Sequence, residues 1–187
     1  KVELSNLNIK NGLCISLGAN IDSKFGKPIE TFLKCRPALE DIIRIWINQS
    51  QSKDSESSST INFSWSSIYK TYPHGITETQ PDYLNTILLT KSTSLLNPSA
   101  EGAKYLLKKF KFLEEEYGRN ISKHNKKWLS RCLDIDILWW ENLNISDADI
   151  ILPHPRFTNR NFVITPLAEI LNREQKIEKF IDGRWEV

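Results

Sequence analysis

The 187 residues contain no methionine, not even at the first position, so the chain reads as one that has been trimmed or has lost its initiator. Cysteine is scarce. Cys14, Cys35 and Cys132 form no C-x-x-C pair and are odd in number, which argues against a disulfide framework and for free thiols in a reducing cytoplasm. Long apolar runs are missing as well. The run near the amino terminus reaches only from Leu13 to Leu17, too short for a signal peptide or a membrane span. Charge is nearly balanced, at +2 overall, so no whole-surface polyanion binder is expected. These absences describe a soluble, cytoplasmic protein with no membrane partner. At 40% hydrophobic residues, the chain is sized for a single domain with a proper core over 1–187. Gln49 to Thr60, rich in serine and without an apolar anchor, reads as a surface excursion from that domain.

Against this background Leu133-Asp134-Ile135-Asp136-Ile137-Leu138-Trp139 stands out as a strand. Side chains alternate along a strand, so Leu133, Ile135, Ile137 and Trp139 are expected on a core face and Asp134 and Asp136 together on the other. Residues two apart lie roughly 6.5–7 Å apart along the backbone, so two carboxylates can hold hard cations, magnesium above all. The plain alternative is that they only solvate an outer face. Just upstream, Arg119, Lys123, His124, Lys126, Lys127 and Arg131 surround Trp128 with no acidic residue among them. A cationic segment leading into a metal-holding strand suits a polyphosphate. A solvated face and an RNA contact are the competing readings, although paired aspartates would repel RNA.

The rest of the chain alternates strands and helices. Leu13–Leu17 is a strand followed by a turn at Gly18-Ala19-Asn20. A helix runs from Pro28 to Trp46, with Pro37 expected to kink or split it. Ile61–Lys70 and Asn85–Lys91 read as strands, the second with Tyr83 and Asn85 facing one way. Ser99 caps a helix that carries Leu106, Leu107, Phe110 and Leu113 and ends at Gly118. A hairpin-like return passes through Ile150–Leu152, and a short helix spans Asn159–Ile170. Few strands, two main helices and antiparallel connections favour an α+β sandwich, with helices packed on one mainly antiparallel sheet.

Leu17-Gly18-Ala19-Asn20, Gln80-Pro81-Asp82-Tyr83-Leu84-Asn85, Glu114 with Gly118-Arg119, Trp128 to Arg131, Leu133 to Leu138, and Pro153-His154-Pro155-Arg156 with Asn159-Arg160 and Phe162 occur in a characteristic order. In this the chain resembles the 6-hydroxymethyl-7,8-dihydropterin pyrophosphokinase family of folate biosynthesis, from about residue 13 to residue 170. The resemblance implies a ferredoxin-like α+β sandwich. It also implies transfer of pyrophosphate from ATP to the hydroxymethyl group of 6-hydroxymethyl-7,8-dihydropterin with release of AMP, acting as a monomer without nucleic acid. By the same resemblance Asp134 and Asp136 hold two magnesium ions, and Arg119, Arg131 and Asp136 are catalytic. Glu114, Lys126, Lys127, Arg131, His154 and Arg160 meet ATP. Thr71, His74, Tyr83, Asn85, Trp128 and Phe162 meet the pterin.

The chain departs from the family pattern where Leu129-Ser130 replaces Gly-Pro between Trp128 and Arg131. It departs again at Ile121, where a second arginine is usual, and at His74, which makes the pterin pocket more polar.

Overall fold

The computed structural model describes residues 11–50, 60–72, 81–119 and 130–181. Their order is β1 (Leu13–Ala19), α1 (Pro28–Ser50), β2 (Asn62–Trp65), β3 (Tyr69–Thr71), β4 (Tyr83–Lys91), α2 (Ala100–Glu116), β5 (Asp134–Trp140), β6 (Ile145–Ser146), β7 (Ile151–Leu152) and α3 (Asn161–Ile181). The main sheet is antiparallel in the order β2-β4-β1-β5, with β3 following β2 along the same edge of β4. The protein is therefore α+β, with three α-helices among the described residues. No helix among the described residues is long and apolar enough to cross a membrane.

Helix spacing builds one core. Phe32, Cys35, Leu39 and Ile43 of α1 and Leu106 and Phe110 of α2 recur every three or four residues, and all are fully buried. They meet Leu13, Ile15, Leu17, Ile135 and Ile137 from the sheet. Each large apolar side chain so buried contributes about 1.5–3 kcal/mol before entropy is counted. Helix α2 starts as its sequence suggests, the Ser99 side chain accepting from the Gly102 N–H at 3.0 Å. It ends at Gly118, whose φ of +104° few other residues would accept.

Several expectations are corrected. Helix α1 runs unbroken through Pro37. The proline deprives one carbonyl, that of Leu33, of its helical donor, and Leu33 is 60% exposed, so water can serve instead. The Gly18-Ala19 pair is strand and not turn, because Gly18 pairs with both Asn85 and Asp134. The strand expected over Ile61–Lys70 is two strands. Ser66 breaks the ladder by accepting the Ile87 N–H on its own hydroxyl at 2.9 Å. Helix α3 continues to Ile181, well past Ile170, and it covers the opposite face of the sheet from α1 and α2. There Val163, Leu167 and Ile170 bury Cys14, Ile87, Leu89, Leu138 and Trp139 in a second apolar cluster.

Trp139 was expected on the face of Ile135 and Ile137 and lies on the other. Ile15 pairs with Ile137 but Cys14 pairs with Trp139, so Leu138 is an extra residue, a β-bulge. Alternation slips there by one. Leu138 and Trp139 both turn toward α3, while Trp140 returns to the main core against Trp46, with ring centroids 4.7 Å apart.

Candidate active site

The face under α3 changes character along its length, and its polar end carries the site. In register across three strands, Asn85 of β4 stands opposite Gly18 of β1, which stands opposite Asp134 of β5. One step along, Asp136 is opposite Ser16. Gly18 puts no side chain between Asn85 and Asp134; a Cβ there would lie 3.4 Å from Asn85 Oδ1. Tyr83 precedes Asn85 by two residues on the same face. It pairs with Thr71 of β3, whose hydroxyl accepts from Asn85 Nδ2 at 2.8 Å. Burial pushes the Tyr83 phenol upward. Arg131 opposes this and Asp134 adds to it, which places the tyrosine within electrostatic reach of both.

The carboxylates are an unequal pair. Asp134 accepts from Arg119 Nη1 at 2.7 Å on one oxygen and from Arg131 on the other. Burial alone would raise its pKa, but Arg131, Arg119 and Lys111 outweigh burial and hold it below the ordinary carboxylate range. Asp136 has no ion pair among the described residues. Burial, and next the charge on Asp134, push its pKa up.

Asp136 opens into a cleft of about 370 Å³ together with Lys111, His154, Arg156 and Arg160. His154 is anchored through its N–H to the Leu138 carbonyl at 2.7 Å. Its Nδ1 accepts from the Arg156 N–H at 3.2 Å, which leaves Nε2 as the imidazole's other polar atom. Burial holds the His154 pKa below its usual value despite Asp136 nearby. The Arg160 guanidinium lies 5.4 Å from the centre of the Phe162 ring, joining the cationic wall to the first turn of α3.

Glu114, expected to meet ATP, is set deep in the protein. It is fully buried, and both oxygens are taken within the protein. Lys111 Nζ at 3.0 Å and the Ile135 N–H at 2.7 Å donate to one, and Arg119 Nη1 at 2.5 Å donates to the other. It therefore stands behind the site and braces the cations in front.

Lys111, Asn20, Gly18 and Arg156 were missed as site residues. Lys111 could have been found from its three-residue spacing to Glu114 on one helix face. Asn20 Oδ1 accepts the Arg131 N–H at 2.7 Å while its Nδ2 donates to the Pro81 carbonyl at 3.2 Å, contacts that no local pattern announces. The structure thus sets Asp136, His154 and Arg160 in the cleft, with Asp134 and its partners Arg119 and Arg131 next to Asp136 on β5, and Thr71, Tyr83 and Asn85 across Gly18. His74, Lys126, Lys127 and Trp128 lie outside the described residues.

Paired carboxylates beneath several cations, beside an aromatic and amide edge, are chemically suited to a polyphosphate next to a flat polar ring. Residues 14–172 match the family model described as 7,8-dihydro-6-hydroxymethylpterin-pyrophosphokinase, and the chain belongs to that family. It is 39% identical over 111 residues to 2-amino-4-hydroxy-6-hydroxymethyldihydropteridine pyrophosphokinase of Bacillus subtilis, covering 59% of this chain and 60% of that protein. The protein of the same name from Haemophilus influenzae is 37% identical over 116 residues, 62% of this chain and 66% of the relative. That from Aquifex aeolicus is 33% identical over 156 residues, 83% of this chain and 78% of the relative. The chain thus spans less than two thirds of the first two relatives' own length.

Proposed function

We propose that this chain transfers the pyrophosphoryl unit of ATP to the hydroxymethyl oxygen of 6-hydroxymethyl-7,8-dihydropterin, releasing AMP, as a step of folate biosynthesis. Family membership supports the substrates. The observation that carries the reading is the row Asn85–Gly18–Asp134, which sets a ring-reading amide beside a carboxylate pair with only a glycine between them.

The residues fit a divalent cation. Asp136 faces the cleft with no ion pair among the described residues, and Asp134 crowds it with a second set of hard oxygen donors. Asp134 and Asp136 would hold magnesium, which we take to be two ions. When bound, magnesium supplies charge neutralisation for the triphosphate and favours ionisation of the hydroxymethyl group. The protein's own groups do the rest. Arg119 and Arg131 neutralise Asp134 here and turn to phosphate oxygens as the triphosphate arrives, meeting the charge that builds on the bridging oxygen of the leaving AMP. Their planar forks suit that task better than a point charge does. Lys111, His154 and Arg160 line the triphosphate's path, and Asp136 accepts the hydroxyl proton on a carboxylate oxygen. Tyr83 and Phe162 sandwich the pterin, and Asn85 and Thr71 read its edge.

The strand order with two β-α-β crossovers supports a ferredoxin-like sandwich. The three buried free cysteines are in keeping with a reducing cytoplasm, and we take the enzyme to be a monomer of one domain. Incubation with ATP, magnesium and the hydroxymethyl-dihydropterin tests the activity. AMP and a pyrophosphorylated pterin are expected in equal amounts, and ATP left intact would overturn the reading.

A further inference from the structure

Glu169 of α3 belongs to no motif and touches none of the groups assigned above. An exposed helical glutamate ordinarily pairs with an arginine four residues on, and Glu169 does pair with Arg173. It does much more. Its side chain is only 18% exposed. It accepts from the Ser67 N–H at 3.0 Å, the Ser67 hydroxyl at 2.8 Å and the Tyr69 hydroxyl at 2.8 Å, while Arg173 donates to the Trp65 carbonyl at 2.9 Å. One carboxylate and its arginine therefore tie α3 to the junction where β2 gives way to β3. Charge-assisted bonds of this kind are roughly twice as strong as neutral ones.

The junction leads straight to the slot. Tyr69 pairs with Asn85 and Thr71 with Tyr83, so β3 carries one wall. Phe162, taken above as the other side of the pterin slot, lies seven residues before Glu169 on nearly the same face of α3, two turns or about 10.5 Å away. The apolar contacts of Val163, Leu167 and Ile170 are non-directional and allow the helix to roll or slide. A fan of directed hydrogen bonds does not.

We infer that Glu169 is a positioning residue that sets the width of the flat-ring slot by fixing Phe162 of α3 against Thr71, Tyr83 and Asn85. This rests on the pterin reading above. The test is steady-state kinetics of wild type, Glu169→Gln, Glu169→Ala and Tyr69→Phe with each substrate varied in turn, together with thermal melts. Glu169→Ala is expected to raise the KM for the pterin about 10-fold, because a looser slot loses binding equally in the ground state and the transition state. The KM for ATP and kcat should stay within about twofold. Glu169→Gln keeps an acceptor but loses the charge and should fall between, and Tyr69→Phe should move the same constant less. If Glu169→Ala fails to fold, Glu169→Gln and Tyr69→Phe carry the test. A pterin KM unchanged in these variants, or both KM values rising together with a lowered melting temperature, would overturn the inference and leave Glu169 a structural clamp. A wild-type chain that makes no AMP would instead remove the functional reading, and the inference with it.

Discussion

On one face of the sheet Leu13, Ile15, Leu17, Ile135 and Ile137 meet α1 and α2, and the charged group most deeply set there is Glu114. On the other face the same strands present Asn85, Asp134 and Asp136 at one end and hand over to Ile87, Leu138 and Trp139 beneath α3 at the other. The first face is organised for packing. The second places polar groups where they are only partly satisfied by the fold, and Asp136 is the extreme case. The main core and the candidate site are thus separated by the thickness of one sheet, and Glu114 is the joint between them: buried among core residues, it holds Lys111 and Arg119.

If that separation is real, substitutions on the two faces should move different observables. The largest effect is expected at the carboxylates. Asp134→Ala and Asp136→Ala should each cut single-turnover AMP formation by more than about 10³-fold. Their melting temperatures should stay close to that of wild type, since neither side chain faces the main core. Substantial magnesium-dependent turnover in either variant would break the comparison. On the packing face Phe110→Ala should cost about 3–5 kcal/mol in denaturant unfolding and leave kcat per folded molecule unaltered. A loss of kcat in the folded fraction would mean that the core reaches the chemistry directly.

Arg131→Ala removes one preorganised donor and should slow the chemical step by about 10²–10³-fold, or roughly 3–4 kcal/mol, with a much smaller change in ATP affinity. Lysine at this position should recover only part of the rate. A loss confined to ATP affinity would assign Arg131 to binding alone. The smallest effect concerns pH. Burial, followed by the charge on Glu114, pushes the Cys35 thiol from 9.0 up to about 12. Because this folded-state pKa is raised, its stabilising contribution is complete below the unfolded thiol's value near 8.5. That contribution fades as pH climbs from there toward about 12, by at most about 1.4 kcal/mol per pH unit. Melting temperature should therefore decline through this window, with a shallower slope in Cys35→Ala. Equal slopes would show that the thiol does not carry the dependence.

The sequence reading succeeded where a local pattern coincided with a tertiary demand. The alternation of Leu133 to Ile137 announces both the buried face and the carboxylate pair. Ser99 and Gly118 announce the ends of α2. It failed where a distant partner decided the outcome. Three consecutive apolar residues, Leu138-Trp139-Trp140, carry no phase, so only pairing with β1 reveals the bulge. Glu114 looks like a surface acid beside Leu113 until Lys111, Arg119 and the Ile135 N–H converge on it. The break between β2 and β3 comes from the Ser66 hydroxyl bonding across to Ile87, which composition does not foretell. Helix α3 runs on past Ile170, where Asn172-Arg173-Glu174-Gln175 interrupt the apolar spacing and give the sequence no signal to extend it.

The extra residue at Leu138 has an effect beyond reversing two tryptophans. Because the bulge removes Leu138 from the pairing with β1, its carbonyl can accept the N–H of His154. The wall that faces Asp136 across the cleft is thus hung from an irregularity in the strand that carries Asp136. Deleting Leu138 would restore an uninterrupted ladder, with Trp139 still opposite Cys14 and turned toward α3, while withdrawing this anchor. A chain repaired in that way would be tidier as a sheet and, on the function proposed above, poorer as a catalyst, for the wall that carries His154 depends on a residue whose side chain does no chemistry at all.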